Sequence, residues 1–203
     1  MGNLQTEILD AAMRIFARYG VKRTSMSDLC EEVGVSRQSL YNRFRNKDDI
    51  LRGLIERYTD QAILEITQEL QGLNRLDQQL DVIFQHMVVT GFDIVRAMPN
   101  AQEFFDGVNA VSQEALEQSA ERFRAVIAKV LAPHEAALTR AGLSVAGLAD
   151  FIQRAAKAAG TRIQDRDQFI SQLRTLRQLC LAAAAADLPA PPQTKETSHG
   201  QGA

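Results

Sequence analysis

No segment of this 203-residue chain alternates apolar and polar residues for long enough to line one face of a strand. Apolar residues instead recur three and four apart almost throughout. That periodicity predicts an all-α fold. Leu4, Ile8, Ala11, Ala12, Ile15, Phe16 and Tyr19 form a first amphipathic stripe, and Gly20 ends it. Ser25 and Asp28 have the form of a capping box, in which a hydroxyl and a carboxylate three residues on satisfy each other's backbone N–H groups. They open a short helix with Met26, Leu29, Cys30 and Val33 on one face. Gly34 breaks it, and Ser36 caps a third helix carrying Leu40, Tyr41 and Phe44. Asn46 to Asp49 then starts a longer one, with acids in the first turn where the helix dipole favours them.

Beyond residue 58 the segments lengthen. Ile63, Ile66 and Leu70 mark one helix, and Leu76 to Met98 reads as a single long helix ended by Pro99. Ala101 to Ala132 holds one or two more, ended by Pro133, followed by a short segment at His134–Ala141 and helices near 145–159 and 166–186. The stretch 188–203, with Pro189, Pro191 and Pro192, lacks apolar mass to bury and is expected to be disordered. The expected division is 1–50, 51–187 and this tail.

Hydrophobic residues make up 45% of the chain, enough for a buried core. No apolar run approaches the length of a membrane span, and Met1 to Leu9 is too polar for a secretory signal, so a cytoplasmic protein is expected. Cys30 and Cys180 fit no metal spacing and are expected to be buried, reduced thiols. His86, His134 and His199 form no ligand motif, and there is no phosphate-binding glycine loop. No enzyme, cofactor or metal site is therefore expected.

Net charge is −2, but its distribution is uneven. Residues 1–50 carry eight Lys/Arg against seven Asp/Glu, and Val35 to Lys47 carries four basic residues and no acid. A phosphate backbone responds to local charge, because screening limits the field to about 8 Å at physiological salt. Two short helices can meet at a steep angle only across a permissive residue, and Gly34 provides it. Val33, Val35 and Leu40 would fill the angle, with Cys30 small enough for close approach. In such a helix-turn-helix the second helix leads into the major groove with its N-terminal end, here Ser36-Arg37-Gln38-Ser39. Arginine suits the guanine edge and glutamine the adenine edge.

The amphipathic first helix, Gly20, Thr24-Ser25, Leu29-Cys30, Gly34-Val35-Ser36, Leu40-Tyr41, Phe44 and Lys47-Asp48 together resemble the TetR (AcrR-like) transcriptional regulators over about residues 6–55. Cys30 stands where alanine is usual in that family, and Gln38 where a small residue is common. The resemblance implies an N-terminal three-helix helix-turn-helix domain joined to a larger helical domain for ligand binding and dimerisation. It implies phosphate contacts from Thr24 or Ser25, Tyr41 and Lys47, with Ser36 at the helix start. Arg37, Gln38, Ser39 and Asn42 become the base-facing set. Arg43 and Arg45 are either phosphate contacts or solvated flank.

The family's dimers form through the last two long helices, which here carry the stripes Leu148, Ile152 and Phe169, Leu173, Leu176, Cys180; the alternative is that both stripes face the subunit's own core. A regulatory pocket is expected among Phe84, His86, Met87, Phe92, Phe104, Phe105 and Phe123, whose bulk suits a hydrophobic or aromatic effector. The implied function is that of a homodimeric regulator, a repressor, released from a near-palindromic operator by a small molecule. The alternative is the same DNA-binding domain answering to a protein partner.

Overall fold

The computed structural model describes residues 4–99, 113–161 and 165–185, and every regular element among them is helical. The first four helices are α1 (Leu4–Tyr19), α2 (Met26–Val33), α3 (Arg37–Tyr41) and α4 (Lys47–Glu69). Then come α5 (Leu76–Phe84), a π-helical turn at Gln85–Val89, and α6 (Thr90–Arg96). The remainder are α7 (Gln113–Leu131), a 3₁₀ turn at Ala132–His134, α8 (Glu135–Arg140), α9 (Val145–Thr161) and α10 (Arg166–Ala185). Phe104, Phe105 and the stretch 188–203 lie outside the described residues. Among those described, no helix is long and apolar enough to cross a membrane.

The local signals act where the sequence puts them. The Ser25 hydroxyl accepts from the Asp28 N–H at 3.2 Å, and the Ser25 N–H donates to the Asp28 carboxylate at 2.7 Å. The bond from the Ser25 N–H first, and the Ser25 side chain second, hold the Asp28 carboxyl below the usual carboxylate range. Ser36 and Asn46 cap α3 and α4 by accepting from the backbone N–H groups of Ser39 and Asp49. Gly34 ends α2 at φ 73°, the left-handed conformation that a Cβ penalises.

Two apolar cores result. The first joins Ile8, Phe16, Leu29, Leu40 and Phe44 to Ile50, Leu51 and Leu54 of α4. Residue 50 lies within α4, which runs on, through Ala62 and Ile66, into the second core. Val95 and Met98, beyond the π turn, also pack into the first core. The expected single helix over 76–98 is interrupted at Gln85–Val89, and its far end is thereby committed to the N-terminal domain. Arg57 reinforces this seam by donating to Asp10 of α1 at 2.6 Å.

α9 packs against α7 and α10. Leu148, Ile152, Phe169, Leu173, Leu176 and Cys180, expected at a subunit interface, are all buried in the protein's own second core. The buried stripe of α9 runs through Leu148, Ala149, Ile152, Gln153 and Ala156, leaving Ala155 and Ala159 at its margin. The outward sides of α9 and α10 present Phe151 and Leu179, 57% and 61% exposed. Both cysteines are buried and unbridged, and burial pushes the Cys180 thiol up to about 11.

Candidate nucleic-acid interface

α2 and α3 meet across Gly34 and Val35, whose backbone N–H groups both donate to the Cys30 carbonyl, at 2.9 and 3.0 Å. Leu40 faces the first core with Leu29, so the opposite side of α3 is turned to solvent. That side presents Arg37, Gln38 and Asn42, with Ser39 half-buried and Tyr41 50% exposed. The Arg37 guanidinium donates to the Ser27 hydroxyl at 2.8 Å, holding the side chain against α2. Ser36 and Ser39 share a hydroxyl contact of 2.9 Å. Arg43 reaches back to the Ser39 carbonyl at 3.4 Å, and Arg45 is exposed. With no acid between Val35 and Lys47, this face is electropositive.

Two expected phosphate contacts change meaning. Thr24 is only 2% exposed and its hydroxyl donates to the Gly20 carbonyl at 2.8 Å, closing the α1–α2 turn instead of facing outward. The Lys47 ammonium donates to the Val21 carbonyl at 2.8 Å, tying the start of α4 to that same turn. Ser25 is exposed, with its polar groups engaged in the capping box.

The body contains a largely apolar cavity of about 260 Å³. Of the expected lining, Met87, Phe92 and Phe123 take part. Phe84 is packed in the second core away from the cavity, and His86 turns the other way, 2.8 Å from Glu65 and 2.9 Å from Glu69 of α4. Phe92 and Phe169 lie against each other in the wall, ring centroids 4.6 Å apart. Met13 of α1 and Leu51 of α4 also belong to the wall, so the cavity touches the N-terminal domain.

Sequence reading missed the polar groups at the cavity: Tyr58, Thr59, Ser119, Gln153 and Lys157. The Tyr58 hydroxyl donates to the His86 carbonyl at 2.7 Å and accepts from the Gly91 N–H at 3.0 Å, bridging the π turn. Burial pushes this phenol up to about 12. A Cβ on Gly91 would lie 3.0 Å from the same oxygen, which is why no larger residue sits there comfortably. The one signal of Gln153 in the sequence is a polar residue directly after Ile152 and between Ala149 and Ala156, within the apolar face of its helix.

Residues 8–54 match the family described as bacterial regulatory proteins, tetR family. The chain is 40% identical over 52 residues to the HTH-type transcriptional repressor ComR of Escherichia coli K12, covering 26% of this chain and 25% of that protein. It spans less than half the length of the curated relatives it matches first. Its fold is similar over nearly all its length to a putative TetR-family transcriptional regulator from Syntrophomonas wolfei, with TM-score 0.65, 17% identity, and 91% of this chain and 96% of that one covered. Salmonella enterica GusR is similar with TM-score 0.64 at 18% identity, covering 90% of this chain and 96% of that one. The helix-turn-helix of this chain is thus that of the bacterial regulatory proteins of the tetR family, and the fold that carries it is similar to those solved structures.

Proposed function

We propose that the protein is a transcriptional repressor that binds a near-palindromic operator as a homodimer and releases it when a small, largely apolar effector enters the cavity. The observation that carries the DNA-binding part is the acid-free, outward face of Val35–Lys47, mounted on a helix-turn-helix. Arg37, Gln38, Ser39 and Asn42 read base edges in this account. Ser25, Ser36 and Tyr41 serve the backbone, and Lys47 adds positive charge from the turn it stabilises. One five-residue recognition helix covers few base pairs, so two copies about 34–36 Å apart, or a multiple of that, supply useful affinity. The exposed Phe151 and Leu179 support a partner copy on the outer side of α9 and α10.

The small-molecule arm is favoured over a protein partner by the cavity itself, apolar and walled partly by the DNA-binding domain. An effector lodged between Met13, Leu51 and α6 acts on the surfaces that seat α1 to α4. It moves the equilibrium only by its differential affinity, about 5.5 kcal/mol for a swing from 1:99 to 99:1. Footprinting on DNA selected from a random pool tests the whole reading. A symmetric protected segment is expected, lost on adding effector; absence of any selected sequence contradicts it.

A further inference from the structure

We infer that the cavity selects its ligand by a hydroxyl: a compact alcohol or phenol that donates its proton to Ser119. This rests on the reading of the cavity as an effector site. Among the described residues three hydroxyls line it, those of Tyr58 and Thr59 on α4 and of Ser119 on α7. A hydroxyl has one proton and two lone pairs, so what it offers a ligand depends on where its proton already goes. The Thr59 hydroxyl donates to the Ile55 carbonyl, one turn back, at 2.8 Å. Its contact with Ser119, at 2.6 Å, therefore needs the Ser119 proton. Tyr58 gives its proton to the His86 carbonyl at 2.7 Å and uses one lone pair for the Gly91 N–H at 3.0 Å.

All three protons are thus held by the protein, and this edge of the cavity presents oxygen lone pairs. Ser119 keeps both of its own, because its hydroxyl's one bond among the described residues is the one it donates. That donation strengthens it as an acceptor, since each hydroxyl in a chain ending on a carbonyl polarises the one before it. Turning the Ser119 proton towards a ligand is costly. Thr59 is 1% exposed, and its oxygen would lose the one donor it has among the described residues. A ketone, ether or carboxylate would therefore face a lone pair or force that loss. An alcohol or phenol instead completes a run from ligand hydroxyl to Ser119, to Thr59, to the Ile55 carbonyl.

The other polar side chains of the lining among the described residues are Gln153 and Lys157, of which Lys157 is already partnered. Both also border a polar cleft with Glu117 and Arg154, which the three hydroxyls do not line. The body of the ligand meets Phe92, Phe123 and Phe169. At about 260 Å³ the cavity falls just under the usual range of roughly 300–1,000 Å³ for ligand pockets, which selects a single-ring body.

The test is calorimetric titration of the full chain at pH 7 with three probes on one carbon skeleton: thymol, menthol and menthone. Thymol and menthol can donate a hydrogen bond, whereas the ketone of menthone only accepts. Menthol is expected to bind at least about tenfold tighter than menthone, and thymol at least as tightly as menthol. Ser119→Ala should cost menthol about tenfold and leave menthone within about threefold. Thr59→Val releases the Ser119 proton for a ligand, so menthone should gain and the two should bind within about threefold of each other. Preference is compared within each variant, so a loss of stability, which weakens both ligands alike, does not mimic these results. If menthone binds the wild type as tightly as menthol, or if either variant keeps the wild-type preference, the hydroxyl assignment is overturned while the effector cavity stands. If none of the three probes binds, the cavity reading fails and the assignment fails with it.

Discussion

Tyr58→Phe removes one oxygen atom and should cost far more than a surface change of that size. The hydroxyl is inserted into the helical ladder between the His86 carbonyl, 2.7 Å away, and the Gly91 N–H, 3.0 Å away. Its loss leaves a donor and an acceptor five residues apart, each costing about 1–3 kcal/mol if unpaired. The cavity beside them admits water, which offsets part of that, so we take about 2 kcal/mol for the pair. For a chain of this size 1 kcal/mol moves the melting temperature by about 2–4 °C, giving an expected fall of about 4–8 °C by calorimetry or circular dichroism.

A second signature comes from pH. Burial raises the phenol from 10.0 to about 12, so the folded state holds this proton more tightly than the unfolded chain does. The corresponding stability is fully present below pH 10 and is lost as pH climbs towards 12. The gap between wild type and Tyr58→Phe should therefore narrow across that window. Gly91→Ala pushes a methyl to 3.0 Å from the same oxygen, and its cost should be less than additive with Tyr58→Phe because both break one bridge. A melting temperature within about 1 °C of wild type for Tyr58→Phe, with a pH-independent difference, would refute the inserted-hydroxyl account.

Gln38→Ala is expected to redistribute sequence preference, relaxing discrimination by about 1–3 kcal/mol at one base pair per half-site; a uniform loss across a panel of duplexes would remove Gln38 from the base-reading set. Ser25→Ala breaks the capping box and should lower stability by about 1 kcal/mol in chemical denaturation. Lys47→Ala should weaken binding to all sequences alike and also lower stability, since the ammonium holds the Val21 carbonyl; unchanged melting would return Lys47 to a purely phosphate-facing role. Phe151→Glu should convert dimer to monomer in light scattering without loss of helix content, and a persistent dimer would place the interface elsewhere.

The features legible in the sequence are those set by neighbours in the chain. Ser25 with Asp28, Ser36 with Ser39, and Asn46 with Asp49 each act within three residues, and Gly34 acts through its own φ. Features set by distant partners were not legible. Thr24 sits between two basic residues and exposed polar ones, yet the close of the α1–α2 turn buries it. The break at Gln85–Val89 needs a hydroxyl from Tyr58, 28 positions away. On α9, a stripe through Leu148, Ile152, Ala155 and Ala159 is wholly apolar in sequence, whereas the one through Ala149, Gln153 and Ala156 is not. Packing against α7 and α10 decides for the latter, and that choice carries Gln153 inward and Phe151 outward. His86 lies among apolar residues, but Glu65 and Glu69, one turn apart on α4, draw it away from the cavity.

The central claim is that the α3 face binds a specific duplex largely through charge and base edges. Its most direct measurement is the dissociation constant for a selected duplex and a scrambled one across a salt series. The account predicts that log affinity falls linearly with log salt, each neutralised phosphate contributing about −0.9 to the slope. It also predicts a preference of about 10³ or more for the selected sequence. A flat salt response with equal affinity for both duplexes would contradict it.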